Sequence, residues 1–243
     1  MKRRTFIKAS SITGLAISAF PAFAFSIHQI NFEELIGKGS PKLYGQGFKL
    51  RQEAYKAFLK MASAALKDNI DIQVVSSYRN FDHQNRIWKR KYKSFTKQGL
   101  LPMDAIYKII EYSTIPGTSR HHWGTDLDLI DGNPNQPKNV LVTKHFEENG
   151  PFSELKKWMD SNANSFGFYL VYTNNEKRKG FKYEPWHYSY KPLSEIYLKD
   201  YQELDIPELL NNEDIMGKEN LTGEFIKSYI KNNILDINPK LLS

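Results

Sequence analysis

The order in which two hydrophobic periods follow one another constrains this chain most. Over residues 49–67 the apolar residues Leu50, Ala54, Phe58, Met61, Ala62, Ala65 and Leu66 recur at helical spacing. Residues 81–95, and 102–112 behind Pro102, read as helices too, with one short β-branched strand at residues 72–75 between the first two helices. Then the pattern changes. Ile115-Pro116-Gly117-Thr118 breaks the helical period, residues 123–130 alternate as a strand, and Asp131-Gly132-Asn133-Pro134 ends it. One more helix is expected over residues 151–166, where Phe152, Leu155, Met159, Ala163 and Phe166 form a stripe that Gly167 can cap. Residues 168–172 and 183–190 read as strands joined by a charged turn, and two helices near 193–204 and 222–235 close the chain. Early helices followed by short strands and long loops predict an α+β fold, a mostly antiparallel sheet with the N-terminal helices packed on it. There are no alternating strand–helix units and no glycine-rich phosphate loop, which argues against nucleotide chemistry.

Composition narrows the chemistry. With 40% hydrophobic and 14% aromatic residues in 243, the chain can bury a sizeable core. It has no cysteine, which removes disulfides, thiolate zinc fingers, cysteine nucleophiles and iron–sulfur ligation. Any metal must be held by histidine and carboxylate. The formal charge is +7, but residues 1–24 hold Lys2, Arg3, Arg4 and Lys8 and no acid, so a chain cleaved there keeps +3. That small excess argues against a nucleic-acid partner.

Those first residues read as an export signal: a charged start, a short apolar stretch from Ile12 to Phe20, and small residues at Ala22-Phe23-Ala24. Arg3-Arg4-Thr5-Phe6-Ile7-Lys8 resembles the twin-arginine form of such signals, the alternative being an ordinary secretory signal with two arginines. The expected organisation is a signal peptide over 1–24, a catalytic domain over 25–190 and a helical extension over 191–243. The mature chain is expected outside the cytoplasm, periplasmic or extracellular, as a monomer without a membrane anchor.

Three segments concentrate reactive side chains: Ser76-Ser77-Tyr78-Arg79-Asn80-Phe81-Asp82-His83-Gln84, Ser119-Arg120-His121-His122-Trp123-Gly124-Thr125-Asp126-Leu127-Asp128, and Glu184-Pro185-Trp186-His187-Tyr188. His121 and Asp128 flank one predicted strand and His187 lies on another. Two imidazoles and a carboxylate make a three-ligand zinc set whose fourth position is left for water. Such a zinc lowers the pKa of that water from about 15.7 to about 7. Glu184, three residues before His187, suits a proton carrier, and Arg79 suits a cation for an oxyanion or a substrate carboxylate. Taken singly, each residue has an ordinary structural use: core histidines, turn-capping aspartates, a strand-starting glutamate, a salt-bridging arginine. The co-occurrence of all three segments favours the chemical reading.

The same segments resemble the VanY-type D-alanyl-D-alanine carboxypeptidases, in the wider zinc-metallopeptidase group that includes lysostaphin-type enzymes and the Hedgehog fold. The family pattern Ser-x-His-x-x-Gly-x-Ala-x-Asp fits Ser119, His121, Gly124 and Asp128. Glu-x-x-His fits Glu184 and His187, and Ser-x-Tyr-Arg followed by glutamine fits Ser76, Tyr78, Arg79 and Gln84. The resemblance covers roughly residues 49–190. It implies one Zn2+ per chain on His121, Asp128 and His187, with Glu184 as general base and acid and Arg79 on the developing oxyanion. Ser119 and Gln84 would hold the substrate's terminal carboxylate, and Tyr78, Asp126 and Trp186 complete the expected substrate-binding set. The implied reaction is hydrolysis of the terminal D-alanine bond of a peptidoglycan stem peptide. L,D-carboxypeptidase or endopeptidase activity on the same fold is the near alternative, and a non-catalytic zinc-fold binding module is the distant one.

Two features depart from the family pattern. Asp126 stands where the pattern has alanine, on the same side of the strand as Asp128. It could orient a ligand histidine, bind a substrate amine or compete as a ligand. The tail beyond residue 190 is either a brace or one wall of the cleft. The basic run over residues 86–97 reads as a solvated helix face or, alternatively, as an attractor for cell-wall carboxylates, and His83, His122 and His145 read as structural.

Overall fold

The structure, a computed structural model, describes residues 30–242; the export-signal reading of residues 1–24 lies outside them. The chain enters through a short helix α1 (Phe32–Leu35) and then α2 (Gln52–Lys67). On α2, Ala54, Phe58, Met61 and Ala65 are buried at the spacing the sequence pattern predicts. Each large apolar side chain of this kind contributes about 1.5–3 kcal/mol on burial. Strand β1 (Ile72–Ser76) leads to α3 (Phe81–Lys97), whose first turn is capped by the Asn80 side chain accepting from the His83 amide at 2.9 Å. Pro102 starts α4 (Pro102–Ile109).

The chain then makes a single 3₁₀ turn, Arg120–Trp123, before strand β2 (Asp126–Asp131). The strand expected from residue 123 therefore starts three residues later. Ser119 caps the turn, and Gly124, at φ 70°, ends it in a left-handed conformation that favours glycine. Helix α5 (Ser153–Asn162) tightens into 3₁₀ geometry over Ala163–Phe166 before Gly167. Strands β3 (Phe168–Leu170) and β4 (His187–Tyr190) complete a four-stranded antiparallel sheet in the order β1-β2-β4-β3. The expected strand over 183–190 shortens to its second half. Pro185 has no amide hydrogen for a ladder, and the chain turns there, with the His187 amide donating to the Glu184 carbonyl at 3.1 Å.

Helices α6 (Lys191–Gln202), α7 (Ile206–Asn211) and α8 (Gly223–Tyr229), the last running into a π-helical turn at Ile230–Ile234, form the tail. Sequence periodicity anticipates α6 and α8 but not α7. Tyr197, Tyr201, Leu210, Ile226 and Tyr229 join Trp88 of α3, Ile106 of α4 and Trp123 in one apolar cluster. A second cluster lies between α2, α5 and one face of the sheet, centred on Leu127, Leu129, Phe58 and Phe152. The tail is thus a brace built into the core. Its Tyr201 hydroxyl donates to the Gly117 carbonyl at 3.1 Å, and its Tyr229 hydroxyl accepts from the Ile115 amide at 3.2 Å, holding the loop that leads to Ser119.

Candidate metal centre and its cleft

Alternation along β2 sets the site. Leu127 and Leu129 point into the α2–α5 cluster, while Asp126 and Asp128 share the opposite face. In the register of the sheet Asp128 faces His187 and Asp126 faces Ser189 on β4. His121 comes from the 3₁₀ turn just before β2. The Arg79 amide donates to the His121 carbonyl at 3.1 Å, which draws the start of α3 against the same place. Buried His122 reinforces this: the Gly117 amide donates to its Nε2 at 3.2 Å, so its Nδ1 donates to the Arg79 carbonyl at 2.6 Å. Burial pushes its pKa down to about 3, which keeps the ring neutral. A Cβ on Gly37 would come within 2.4 Å of the His122 ring, so that close approach requires glycine.

His121, Asp128 and His187 each offer a donor atom, all lying within 4.8 Å of one another. His121 Nε2 is 3.5 Å from Asp128 Oδ2, and His187 Nδ1 is 3.8 Å from Asp128 Oδ1. The remaining ring nitrogens are engaged elsewhere. His121 Nδ1 lies 2.8 Å from the Ser77 carbonyl, which can only accept, so it carries the hydrogen and leaves Nε2 with a lone pair. His187 Nε2 donates to Asp126 Oδ1 at 3.0 Å, which leaves Nδ1, 3.1 Å from Glu184 Oε2, as the nitrogen that would ligate once it gives up its hydrogen. Asp128 Oδ1 is buried without a hydrogen-bond partner among the described residues. Two imidazole lone pairs and a carboxylate aimed at one point, each imidazole oriented by an outer acceptor, fit a divalent zinc-type ion.

The electrostatics agree. Burial alone would raise Asp126, but Arg120 at 3.0 Å and the hydrogen bond to His187 outweigh it and hold the carboxyl well below the usual range. Burial would likewise raise Asp128, and His121 and His187 more than offset that. Burial lowers His187, yet Asp126, Glu184 and Asp128 around it push it up to about 9. Burial and the neighbouring Arg79 lower His121, with Asp128 opposing them, which favours its neutral, ligating form, so the carboxylates gather positive charge around His187. Burial raises the Glu184 carboxyl, which brings it toward the range useful for exchanging protons. Glu184 Oε2 is 3.1 Å from His187 Nδ1, at the open side of the donor set.

A cavity of about 660 Å³ opens on this centre. Of the site residues expected from sequence, Arg79, Ser119, His121, Asp128, Glu184, Trp186 and His187 line it. Three expected substrate contacts lie elsewhere. Gln84 is fully buried, with its amide donating to the Thr114 carbonyl at 2.9 Å, so it shapes the loop behind the cavity. Asp126 is fully buried among Arg120, Thr125, Ser189 and His187 and orients His187. Tyr78 is half-buried outside the cavity lining; its amide donates to the Lys49 carbonyl at 3.1 Å. Sequence reasoning did not single out Arg120, although the second segment contains it; only the fold pairs it with Asp126. Tyr172, whose ring meets His187 edge-on at 5.1 Å, carried no sequence signal. Arg90 and Lys91, within the run read as a solvated face, line the cavity.

Residues 47–193 match the family described as VanY, D-alanyl-D-alanine carboxypeptidase. An uncharacterized protein of Haemophilus influenzae is 34% identical over 107 residues, 43% of this chain and 82% of that protein. A putative carboxypeptidase, YodJ, of Bacillus subtilis is 29% identical over 144 residues, 58% of this chain and 46% of that protein. The chain thus spans about half the length of the latter relative. Among solved structures, VanYB in complex with D-alanine-D-alanine superposes with a TM-score of 0.53 at 24% identity, covering 73% of this chain and 92% of that one. A variant of the vancomycin-resistance D,D-pentapeptidase VanY in complex with Zn(II) gives 0.51 at 22% identity, covering 75% and 90%. At those identities the likeness speaks for the α+β fold.

Proposed function

The chain belongs to the VanY family of D-alanyl-D-alanine carboxypeptidases, and from that premise we propose that it is a zinc peptidase removing the terminal D-alanine from peptidoglycan stem peptides. The observation that carries this is the donor set, with His121 and His187 oriented by Ser77 and Asp126 so that His121 Nε2, His187 Nδ1 and the Asp128 carboxylate face one another within 4.8 Å. A zinc ion held by His121, Asp128 and His187 supplies the Lewis acidity that makes water a nucleophile near neutral pH. Glu184 takes a proton from the attacking water and returns it to the departing amine. Its burial suits the first of these steps, since a carboxylate raised above its ordinary range accepts a proton more readily, and the far more basic departing amine still draws that proton off in the second. Arg79, lining the same cavity, offers its guanidinium to the oxyanion that forms on the scissile carbonyl. Ser119 and Trp186 contribute a hydroxyl and an apolar wall to the seat of the terminal residue.

The export reading belongs to the same proposal: a twin-arginine start carries the folded chain to the compartment where stem peptides are found, and it acts there as a monomer. No helix among the described residues is long and apolar enough to cross a membrane. The test is digestion of defined stem peptides by the zinc-loaded protein, read by mass. Loss of one D-alanine from a pentapeptide, abolished by a chelator and by Glu184→Gln, supports the reading. Cleavage of an L,D bond or of cross-links instead moves the assignment to those activities, and zinc binding without turnover of any peptide moves it to a binding module.

A further inference from the structure

Beyond Arg79, the cavity has cations that the proposed reaction does not use. Arg79 precedes α3, and Ile87, Arg90 and Lys91 follow on that helix and line the same cavity as Glu184 and His121. Side chains on a helix lean back toward its N-terminus, so the Lys91 stem is directed toward the Arg79 end of the cavity. The amine feels both Glu184 and Arg79, and burial lowers its pKa from the ordinary value, with Glu184 opposing and Arg79 assisting. Among the described residues neither Arg90 nor Lys91 forms an ion pair. Their neighbour Lys89, on another side of the helix, pairs with Asp214 at 2.8 Å. A part-desolvated ammonium without an anion is costly, and a bound anion relieves that cost.

Gln84, the residue expected to hold a substrate carboxylate, turns its amide nitrogen to the Thr114 carbonyl behind the cavity and does not line it. Arg79 and Arg120 also line the cavity, Arg79 assigned to the oxyanion and Arg120 paired with Asp126, which leaves Arg90 and Lys91 as its cations without an assigned partner. We propose that Lys91, with Arg90 at the rim, is the receptor for a carboxylate of the peptide substrate and sets the preference of this cavity for anionic peptides. The inference rests on the peptidase reading above. Two parts of a peptide bear that chemistry: its C-terminus, and an acidic group upstream of the scissile bond.

The test compares three peptides ending in D-Ala-D-Ala: one with a free side-chain carboxylate before that pair, its side-chain carboxamide, and a C-terminally amidated form. Binding is measured by calorimetry on zinc-loaded Glu184→Gln protein, with and without Lys91→Met or Arg90→Met, and KM and kcat are measured on the corresponding active proteins. Lys91→Met is expected to weaken binding of the fully charged peptide about tenfold or more and to raise KM with little change in kcat. That penalty should vanish on the one amidated peptide that lacks the recognised carboxylate. Vanishing on the C-terminal amide assigns the receptor to the peptide end, and vanishing on the side-chain amide assigns it to the upstream group. No penalty, or the same penalty on all three peptides, overturns the proposal. Arg90→Met provides a second variant should Lys91→Met fold poorly, with a smaller loss of the same selectivity expected. Failure of the active protein to cleave any peptide would count against the peptidase reading, while the calorimetric comparison would still decide the carboxylate receptor.

Discussion

Leu127 and Asp128 are neighbours on one strand and are both buried, the leucine wholly and the aspartate nearly so. What keeps them there differs. Leu127 and Leu129 are held by apolar area against α2 and α5, an interaction that needs no direction and tolerates small shifts. Asp126 and Asp128, on the other face, are held by named partners at fixed distances, because a carboxylate out of water costs several kcal/mol unless it is paired. Asp126 has four such partners: Arg120, Thr125, Ser189 and His187. Asp128 keeps one oxygen without any, and that oxygen faces the metal centre. One face stores stability, and the other spends part of it on an incompletely satisfied site.

The comparison can be broken or sharpened by substitution. The largest effect is expected from Glu184→Gln, which should lower kcat about 10²–10⁴-fold in peptide hydrolysis while the unfolding midpoint stays close to the parent. Leu129→Ala should do the reverse, costing about 2–5 kcal/mol in denaturant unfolding while the remaining folded protein retains its kcat. Asp126→Asn crosses between the two faces. It should weaken zinc affinity about 10–100-fold by loosening His187. Activity should return at excess zinc, while a lowered unfolding midpoint remains because Arg120 has lost its counter-charge. The smallest effect is expected from Tyr229→Phe, which deletes a tail hydroxyl bonded to Thr118 and to the Ile115 amide and should cost about 1 kcal/mol, with zinc content unchanged. If Leu129→Ala abolished turnover in molecules still folded, or Glu184→Gln unfolded the protein, the division between the faces would fail.

Much of this was legible before the structure. The helical stripe of α2 and the alternation of β2 follow directly from periodicity, and the motif spacing of His121, Asp128, Glu184 and His187 points to a candidate metal centre. Other features were hidden for definite reasons. The role of Asp126 depends on Ser189 and Arg120, and nothing in the spacing along the chain says that the three meet. Gln84 fits a substrate-binding motif yet turns away, because the Thr114 carbonyl behind the cavity accepts its amide hydrogen. Lys91 sits in a run of basic residues in which composition alone gives every member the same solvated role, and only the packing of α3 beside the cleft separates it from Lys89.

By itself, the sequence determined most element types and the face of β2 that carries acid, because these depend on local periods, and through motif resemblance it marked His121, Asp128 and His187 as candidate donors. The tertiary structure decided which nitrogen of each imidazole is free, which carboxylate orients and which is left to ligate, and which cations reach the cavity. Those outcomes depend on distances of about 3 Å between segments tens of residues apart, and only the packed sheet and its helical brace set such distances.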